Sequence, residues 1–408
     1  MLLQSLPMVF VLAGLALYTV LGGADLGAGF WQIVAARNQN GESIREFAHR
    51  AMAPVWEANH VWLIFVLTVF WTSYPTAFGS ITSTLAVPLF IALLGIIARG
   101  ASYALRAGVT TPRDSGPLDT IFALSSIVVP FALGAAVGGI ATNRVPVGNA
   151  AGDQWTSWLN LTSIVIGTLA VATSAYLAAV YLAADAAHDR DKSLETSFRL
   201  RALASGVVAG TIAIGGIFVV NGDDHALFHS LVTGRALIGV IVSGLAGLAS
   251  LLLVYRRRYE LARYAASLAV AAIVAGWALS RWPTILPGLT VYQAAAGHDT
   301  LVCVVVAVLG GAVILFPALA LLFRLDVAGR FRGSELKVVE NGAVTHGAVN
   351  VRLLTRVALA CLIAGFGLLN LADAQWAHAV GVACLFGFVG LAFRAIVVPA
   401  LDEQAATR

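Results

Sequence analysis

Two carboxylates lie within long apolar segments of the chain. Asp25 is part of Leu21-Gly-Gly-Ala-Asp-Leu-Gly-Ala-Gly29, and Glu57 is part of Ala53-Pro-Val-Trp-Glu-Ala-Asn-His-Val-Trp-Leu63. A charged side chain in hydrocarbon is costly, so an acidic residue kept there marks a functional site. Both residues are therefore candidates for proton transfer, which a titratable group inside a membrane can carry out.

A histidine follows Glu57 by three residues. This spacing places Glu57 and His60 on one helical face with Val61 and Ile64. A carboxylate next to an imidazole can pass protons directly or through bridging water, which predicts a proton pathway of Glu57, Asp25 and His60. A second interpretation stays open: Glu57 could pair with His60, or with a partner subunit, only to hold helices together.

Glycines surround Asp25 on both sides. Gly23 and Gly27 form a small-xxx-small pair, which lets a second helix approach closely. We therefore predict that these two glycines serve helix packing. Asp25 would then face protein or water rather than lipid.

The histidines do not form a metal-binding or haem-binding pattern. His225 and His229 have the spacing of two ligands on one helix, but no third and fourth ligands are evident. The chain has only 3 methionines, which disfavours a His/Met haem site. Its 3 cysteines are isolated in apolar runs, so no disulfide or CxxC pair is predicted. We expect no metal and no haem ligand from this chain.

The elements that must position these residues are membrane helices. Hydrophobic residues make up 59% of the 408 residues and charged residues only 11%, against roughly 25% in average globular proteins. Apolar runs of about 20 residues or more recur along the chain, which predicts an all-α integral membrane protein. The predicted spans are 8–34, 52–72, 77–105, 119–142, 156–184, 200–220, 235–255, 260–281, 299–323, 352–371 and 375–398.

The distribution of positive charge predicts the orientation. With the N-terminus outside and the C-terminus in the cytoplasm, 22 of the 25 Lys and Arg residues lie on the inside. Asp25 and Glu57 would then both lie in the cytoplasmic half of a multi-pass protein of the bacterial inner membrane. The net charge of +4 is explained by this topology, and no nucleic-acid partner is expected.

Three segments resemble one known family. Residues Leu21 to Gly29 are similar to the first-helix glycine–aspartate motif of cytochrome bd oxidase subunit II. Pro54-Val-Trp-Glu-Ala-Asn-His-Val-Trp62 is very close to the second-helix motif, the most specific of the three. Leu286-Pro-Gly-Leu-Thr-Val-Tyr-Gln-Ala-Ala295 resembles the motif before the ninth helix. The resemblance covers roughly residues 5–325.

This resemblance implies a fold and a set of partners. It implies nine helices, arranged as two four-helix bundles plus one peripheral helix, and a heterodimer with subunit I in the lipid membrane. Subunit I would carry haem b, haem d and the quinol-oxidising site of a complex that reduces dioxygen to water. Subunit II would bind no haem and contribute a cytoplasmic proton pathway with Glu57 at its key acidic position. Trp56 would be a packing residue of the same motif, and a structural quinone is also associated with this subunit.

The chain departs from the family at two places. The family often has an aspartate where this chain has Gly22, which removes one polar group from the proton pathway. A polar linker, residues 326–350, and a transmembrane hairpin, residues 351–408, follow the membrane domain of residues 1–325. The hairpin could cover the edge of the complex in place of a small accessory subunit, or it could serve a paralogue with another partner. Two other functions stay open from the residues alone, a proton-coupled secondary transporter and a structural membrane scaffold.

Overall fold

The computed structural model describes residues 1–35, 41–106, 112–327, 351–371 and 376–391, except residues 378 and 389. Within these ranges the chain is almost entirely α-helical, as predicted. The helices are α1 (Leu2–Ala35), α2 (Gly41–Ser73), α3 (Pro75–Thr84), α4 (Ala86–Arg106), α5 (Pro112–Ala141), α6 (Leu161–His188), α7 (Lys192–Asp223), α8 (His225–Thr233), α9 (Leu237–Tyr255), α10 (Tyr259–Arg281), α11 (Val291–Ala294), α12 (His298–Val327) and α13 (Val351–Leu371).

Eight helices among the described residues are long and apolar enough to cross a membrane, namely α1, α4, α5, α6, α7, α9, α10 and α12. In α2 the apolar part is the shorter segment Asn59–Ser73. Every predicted span overlaps a helix in the described part of the chain. The chain is therefore a multi-pass membrane protein.

The predicted span 77–105 is interrupted, and this part of the prediction was wrong. Leu85 separates α3 from α4, with backbone angles φ −97° and ψ 26°. Pro88 lies three residues further on and has no N–H to donate to the carbonyl of Thr84. The loss of that hydrogen bond accounts for the interruption.

Side-chain caps fix the beginnings of α6 and α7. Asn160 accepts a hydrogen bond from the Ser163 amide at the start of α6. Asp191 accepts from the amides of Ser193 and Leu194 at the start of α7, at 3.0 Å each. These oxygens satisfy amides that have no partner within the helix.

Helix α1 is the centre of the described bundle. It packs against α2, α5, α6 and α10, while α4 packs on α5, α6 on α7, and α9 on α10. The large core cluster between α1, α6 and α10 is rich in alanine, which allows close helix contact. Only 6% of the apolar segment of α12 is buried, so that helix lies at the edge of its unit. The arrangement as two four-helix bundles stays a prediction.

A small β-hairpin follows α10, and α11 then leads to the beginning of α12. Strands β1 (Thr284–Leu286) and β2 (Leu289–Thr290) are antiparallel, and Gly288 between them has φ +76°. Thr290 and Gln293 then form a capping box that starts α11. The segment Leu286–Ala295, noted above for its resemblance, is thus a turn that leads into a short helix.

The loop between α5 and α6 is folded over α3. Ser80 accepts a hydrogen bond from the Gly148 amide at 2.9 Å, and Ser83 accepts from the Ala150 amide at 2.8 Å. Asp153 accepts bonds from the Thr156 and Trp155 amides and the Thr156 hydroxyl, and these donors lower the pKa of its carboxyl group.

The chain divides into two units, Met1–Leu319 and Ala320–Arg408. In the second unit α13 is one helix of the predicted C-terminal hairpin, and residues 379–388 include a shorter apolar helix. The predicted linker 326–350 lies almost wholly outside the described residues. The domain boundaries at 325 and 350 stay predictions.

Gly27 tests the packing of α1 against α6. A Cβ atom at this position would overlap the carbonyl group of Ser174 and lie 2.8 Å from the Ala178 Cβ. We expect Gly27→Ala to lower the free energy of unfolding by about 1–3 kcal/mol, because the helix backbones must separate. Denaturant unfolding of the full chain in mixed micelles measures this change.

The matched control is Gly244→Ala on α9, where a Cβ atom would meet nothing within 4 Å. It should leave stability unchanged or raise it slightly, because alanine favours the helix. Equal effects of the two substitutions would show that Gly27 is not a packing constraint.

Candidate functional site

A fully buried ion pair links α1 to α4. The Nη2 atom of Arg99 donates to Asp25 Oδ1 at 2.8 Å and to the Asp25 backbone carbonyl at 2.9 Å. Arg99 is 0% exposed and Asp25 is 1% exposed. Each charge therefore relies on the other, since neither is in contact with water at the protein surface.

Helix α5 and a glycine of α1 complete the surroundings of Arg99. Its Nη1 atom donates to the Ser126 hydroxyl, and its guanidinium lies 3.9 Å from the centre of the Phe122 ring. Gly29 leaves the space for this contact, because a Cβ atom there would overlap Ser126 and lie 3.1 Å from Arg99 Nη1. The site therefore joins three helices around one cation.

Arg99 was missed as a site residue by the sequence analysis, which counted it among the cytoplasmic loop charges. The structure places it inside α4, and without it the predicted charge distribution becomes 21 residues against 3. The signal was present, because Arg99 lies within the predicted span 77–105. The cost of a charge in hydrocarbon, which identified Asp25, applies equally to Arg99.

Helix α2 packs antiparallel to α1, and two contacts define which residues lie opposite each other. Asn59 is fully buried and its amide donates to the Leu21 carbonyl at 3.1 Å, and the rings of His60 and Tyr18 meet edge to face at 6.3 Å. Asn59, like Tyr18, was not predicted as a site residue. This register places the helical position of Glu57 level with Gly22 and Gly23 of α1.

The side chains of Glu57 and Trp56 lie outside the described part of the structure, although both residues belong to α2. Val61 and Ile64, predicted to share a face with His60, are 55% and 62% exposed. His60, in contrast, is only partly exposed and contacts Tyr18, so the residues of the predicted face do not all point the same way. The proposed contact of Glu57 with His60 stays a prediction.

Three buried polar atoms on α1 have no hydrogen-bond partner among the described residues. They are Tyr18 Oη, Asp25 Oδ2 and Gln32 Nε2. Their residues are seven apart along α1, so they lie on one side of the helix at intervals of about 10.5 Å. Water molecules would satisfy such atoms, because a buried polar group without a partner is costly. This Tyr18–Asp25–Gln32 column is a candidate hydrated path along α1.

A largely apolar cavity of about 400 Å³ lies next to the Tyr18–Asp25–Gln32 column, with Tyr18 in its wall. Tyr18, Gly23 and Leu26 of α1 line one part, and Arg281 and Trp282 at the end of α10 line another. The remaining lining is mostly aliphatic, with contributions from α2, α5 and α6, and it includes the aromatic rings of Phe70 and Trp277. Its volume falls in the usual range of small-molecule sites, about 300–1,000 Å³.

The remaining predicted residues are placed as follows. A Cβ atom at Gly23 would lie 3.2 Å from the Leu177 Cδ1 atom of α6, and one at Gly22 would lie 3.1 Å from the Tyr18 ring. His225 contacts Asn221 at 2.9 Å, and His229 contacts Thr233 at 2.9 Å. No group of three or more His, Cys, Asp or Glu residues suited to a metal occurs in the described ranges.

This fold and site define a polytopic helical membrane protein with a buried ion pair between α1 and α4. A sequence profile for cytochrome bd terminal oxidase subunit II matches residues 3–326. The chain belongs to this family.

Individual relatives are more distant. The chain is 27% identical over 114 residues to cytochrome bd ubiquinol oxidase subunit 2 of Bacillus subtilis, which covers 28% of this chain and 33% of the relative. It is 24% identical over 123 residues to cytochrome bd-I ubiquinol oxidase subunit 2 of Escherichia coli K12, covering 30% and 32%. The chain thus matches about a third of the length of these relatives.

A solved structure shows the same fold. A chain of the bd oxidase from Geobacillus thermodenitrificans superposes with a TM-score of 0.63 at 23% identity. The superposition covers 80% of this chain and 99% of that one.

The coupling of Asp25 to Arg99 can be measured by a double-mutant cycle. Asp25→Asn alone should lower the free energy of unfolding by about 3–5 kcal/mol, because it leaves a buried cation without its counter-charge. Adding Arg99→Gln should recover much of that loss, because both charges are then absent. Unfolding of the four proteins in mixed micelles measures the coupling.

The control pair is Arg106 and Asp119, which also joins α4 to α5 but whose side chains are 37% and 28% exposed. Asp119→Asn should change stability by no more than about 1 kcal/mol. Additive losses at Asp25 and Arg99 would show that the two charges do not depend on each other.

Proposed function

We propose that the chain is the haem-free subunit II of a cytochrome bd-type quinol oxidase, a complex that oxidises a quinol and reduces dioxygen to water. Its partner would be subunit I, which would carry haem b and haem d. The membership of the family supports this assignment. The observation that carries a role beyond scaffolding is the buried Asp25–Arg99 pair beside unpartnered polar atoms in an apolar bundle.

The proposed contribution of the chain is proton uptake from the cytoplasm. Dioxygen reduction consumes protons, and bare hydrocarbon does not conduct them. Gln32 lies near the end of α1, and water between Gln32, Asp25 and Tyr18 would form a path along one side of that helix. His60 extends the path across to α2 through its contact with Tyr18. Glu57 would be the proton-exchanging group, one turn from His60.

Asp25 and Arg99 would have different roles in this path. Asp25 Oδ1 is held by Arg99, whereas Asp25 Oδ2 has no hydrogen-bond partner among the described residues. Arg99 would therefore position the carboxylate so that its second oxygen accepts from water or a proton donor. In this proposal Arg99 is a positioning residue, and its guanidinium also balances the negative charge of the Asp25 carboxylate.

The proposed orientation has the N-terminus outside and the C-terminus in the cytoplasm. The remaining excess of positive charge on one side supports it. In this orientation the end of α1 near Gln32 faces the cytoplasm, which supplies the protons. We also propose that residues 1–325 form the membrane domain of the family and that the hairpin of residues 351–408 is an addition to it.

The apolar cavity is our candidate site for the structural quinone that the family resemblance implies. A quinone is an apolar molecule whose ring carbonyls accept hydrogen bonds, and Tyr18 Oη is a buried donor without a partner at the cavity wall. We propose that this cavity holds a structural quinone, with Tyr18 available to a ring carbonyl. When bound, it would supply bulk between α1, α5 and α6.

Replacing Glu57 tests the proton path. Glu57→Gln keeps the shape but cannot exchange a proton, so we expect oxygen consumption and proton uptake to fall by about tenfold or more. Glu57→Asp should be milder, because it retains a carboxyl group. Oxygen-electrode rates and a pH-sensitive dye measure both quantities in the assembled complex, with haem content as the assembly check.

Glu260→Gln is the control, because this carboxylate at the start of α10 is 68% exposed and lies off the path. It should retain the wild-type rate. Wild-type turnover in a fully assembled Glu57→Gln complex would instead assign Glu57 to helix packing or to the subunit interface.

Filling the cavity tests the quinone. Leu133→Trp places a larger side chain in the cavity wall, whereas Leu248→Trp changes a leucine that is 66% exposed on α9. We expect organic extracts of the purified protein to lose quinone with the first variant and to keep it with the second. Equal quinone content in both would show that the molecule is bound elsewhere.

A further inference from the structure

Three consecutive arginines form the turn between α9 and α10. Arg256, Arg257 and Arg258 are all exposed. Arg257 pairs with Glu195 of α7 at 3.3 Å. Arg256 and Arg258 make no ion pair with any residue that the structure describes. The turn therefore presents two uncompensated guanidinium groups next to a third.

The length of α9 sets the depth of this turn. With 19 residues, α9 is about 28 Å long, close to the thickness of the hydrocarbon layer. Tyr255 next to the turn is 64% exposed, as is usual for a tyrosine at the membrane interface. Leu252 and Leu261 are half exposed on the hydrocarbon side. The arginines therefore lie at the level of the lipid headgroups.

The backbone acceptors just before the turn already have a hydrogen-bond donor. Arg257 in the turn has φ +58°, a left-handed conformation that is unusual for a residue with a Cβ atom. Arg199 of α7 donates to the carbonyls of Val254 and Tyr255, at 3.3 and 2.7 Å, so these acceptors at the end of α9 are already used. The side chains of Arg256 and Arg258 are left available to a ligand.

The neighbouring turn between α6 and α7 provides a contrast on the same side of the bundle. Arg190 has φ +59°, almost the same backbone conformation as Arg257, and is exposed. Asp189 and Asp191 flank it, so its charge is balanced locally. With 28 and 32 residues, α6 and α7 are also longer than a membrane crossing requires, which places this turn further out in water.

We infer that the Arg256–Arg258 turn binds the phosphate group of an anionic phospholipid. Guanidinium groups bind phosphate oxygens through paired hydrogen bonds, and a basic cluster at the membrane surface attracts anionic lipid. The exposed leucines of α9 and α10 contact the acyl chains of the same molecule. This site is independent of the proton path and of which side of the membrane the turn faces.

Native mass spectrometry of the purified full chain, with any subunit that remains bound, tests this site. Phosphatidylglycerol is titrated into the wild-type protein and into Arg256→Gln/Arg258→Gln, with phosphatidylcholine as the uncharged reference. We expect the double variant to bind phosphatidylglycerol about 25-fold more weakly, since each arginine contributes roughly a factor of five. Arg256→Lys/Arg258→Lys should retain most of the affinity, which separates loss of charge from misfolding.

The charge-matched control is Arg190→Gln/Lys192→Gln, which removes two cations from the α6–α7 turn and should bind phosphatidylglycerol as the wild type does. An equal loss in this control would overturn the assignment in favour of general surface charge. Wild-type affinity in Arg256→Gln/Arg258→Gln would also overturn it. If millimolar inorganic phosphate displaced the lipid, and if phosphatidylglycerol bound no more tightly than phosphatidylcholine, the turn would be assigned to a free anion instead.

Discussion

The buried pair of Asp25 and Arg99 is the constraint on which the first half of the bundle depends. Neither charge reaches water, so each must find its counter-charge within the bundle. The pair sets the distance between α1 and α4, and the Ser126 hydroxyl and the Phe122 ring bring α5 to the same cation. Gly29 is small because the guanidinium and Ser126 occupy the space that a side chain would need.

The same helix carries the other contacts of the core. Gly27 and Gly23 allow α6 to approach α1, and the indole N–H of Trp31 donates to the Ala175 carbonyl at 2.8 Å. Polar atoms without partners then lie along α1 in a region that is otherwise packed with small apolar side chains. These atoms are the observation on which the proposed path for water and protons rests.

The sequence predicted the class of fold because membrane helices are defined by length and hydropathy alone. It also identified Asp25, since one carboxylate in an apolar run stands out. It did not identify Arg99 as the partner, because the two residues are 74 positions apart and composition does not show which helices meet. The interruption at Leu85 depends on the one backbone N–H that Pro88 lacks. A span predicted from the average hydropathy of its residues does not show such a local feature. The depth of Glu57 was predicted from the helix order, whereas its contacts depend on side-chain packing that a linear pattern does not contain.

The central claim is that this chain serves a haem-bearing partner and holds no haem itself. The most direct measurement is the optical spectrum and iron content of the affinity-tagged full chain purified from its own membranes, before and after the subunits are separated. We predict haem absorbance with a red-shifted haem d band in the complex. After separation the haem should stay with the second subunit, and this chain should be free of iron. Haem retained on the isolated chain in stoichiometric amount, and lost when one of its histidines is replaced, would contradict it.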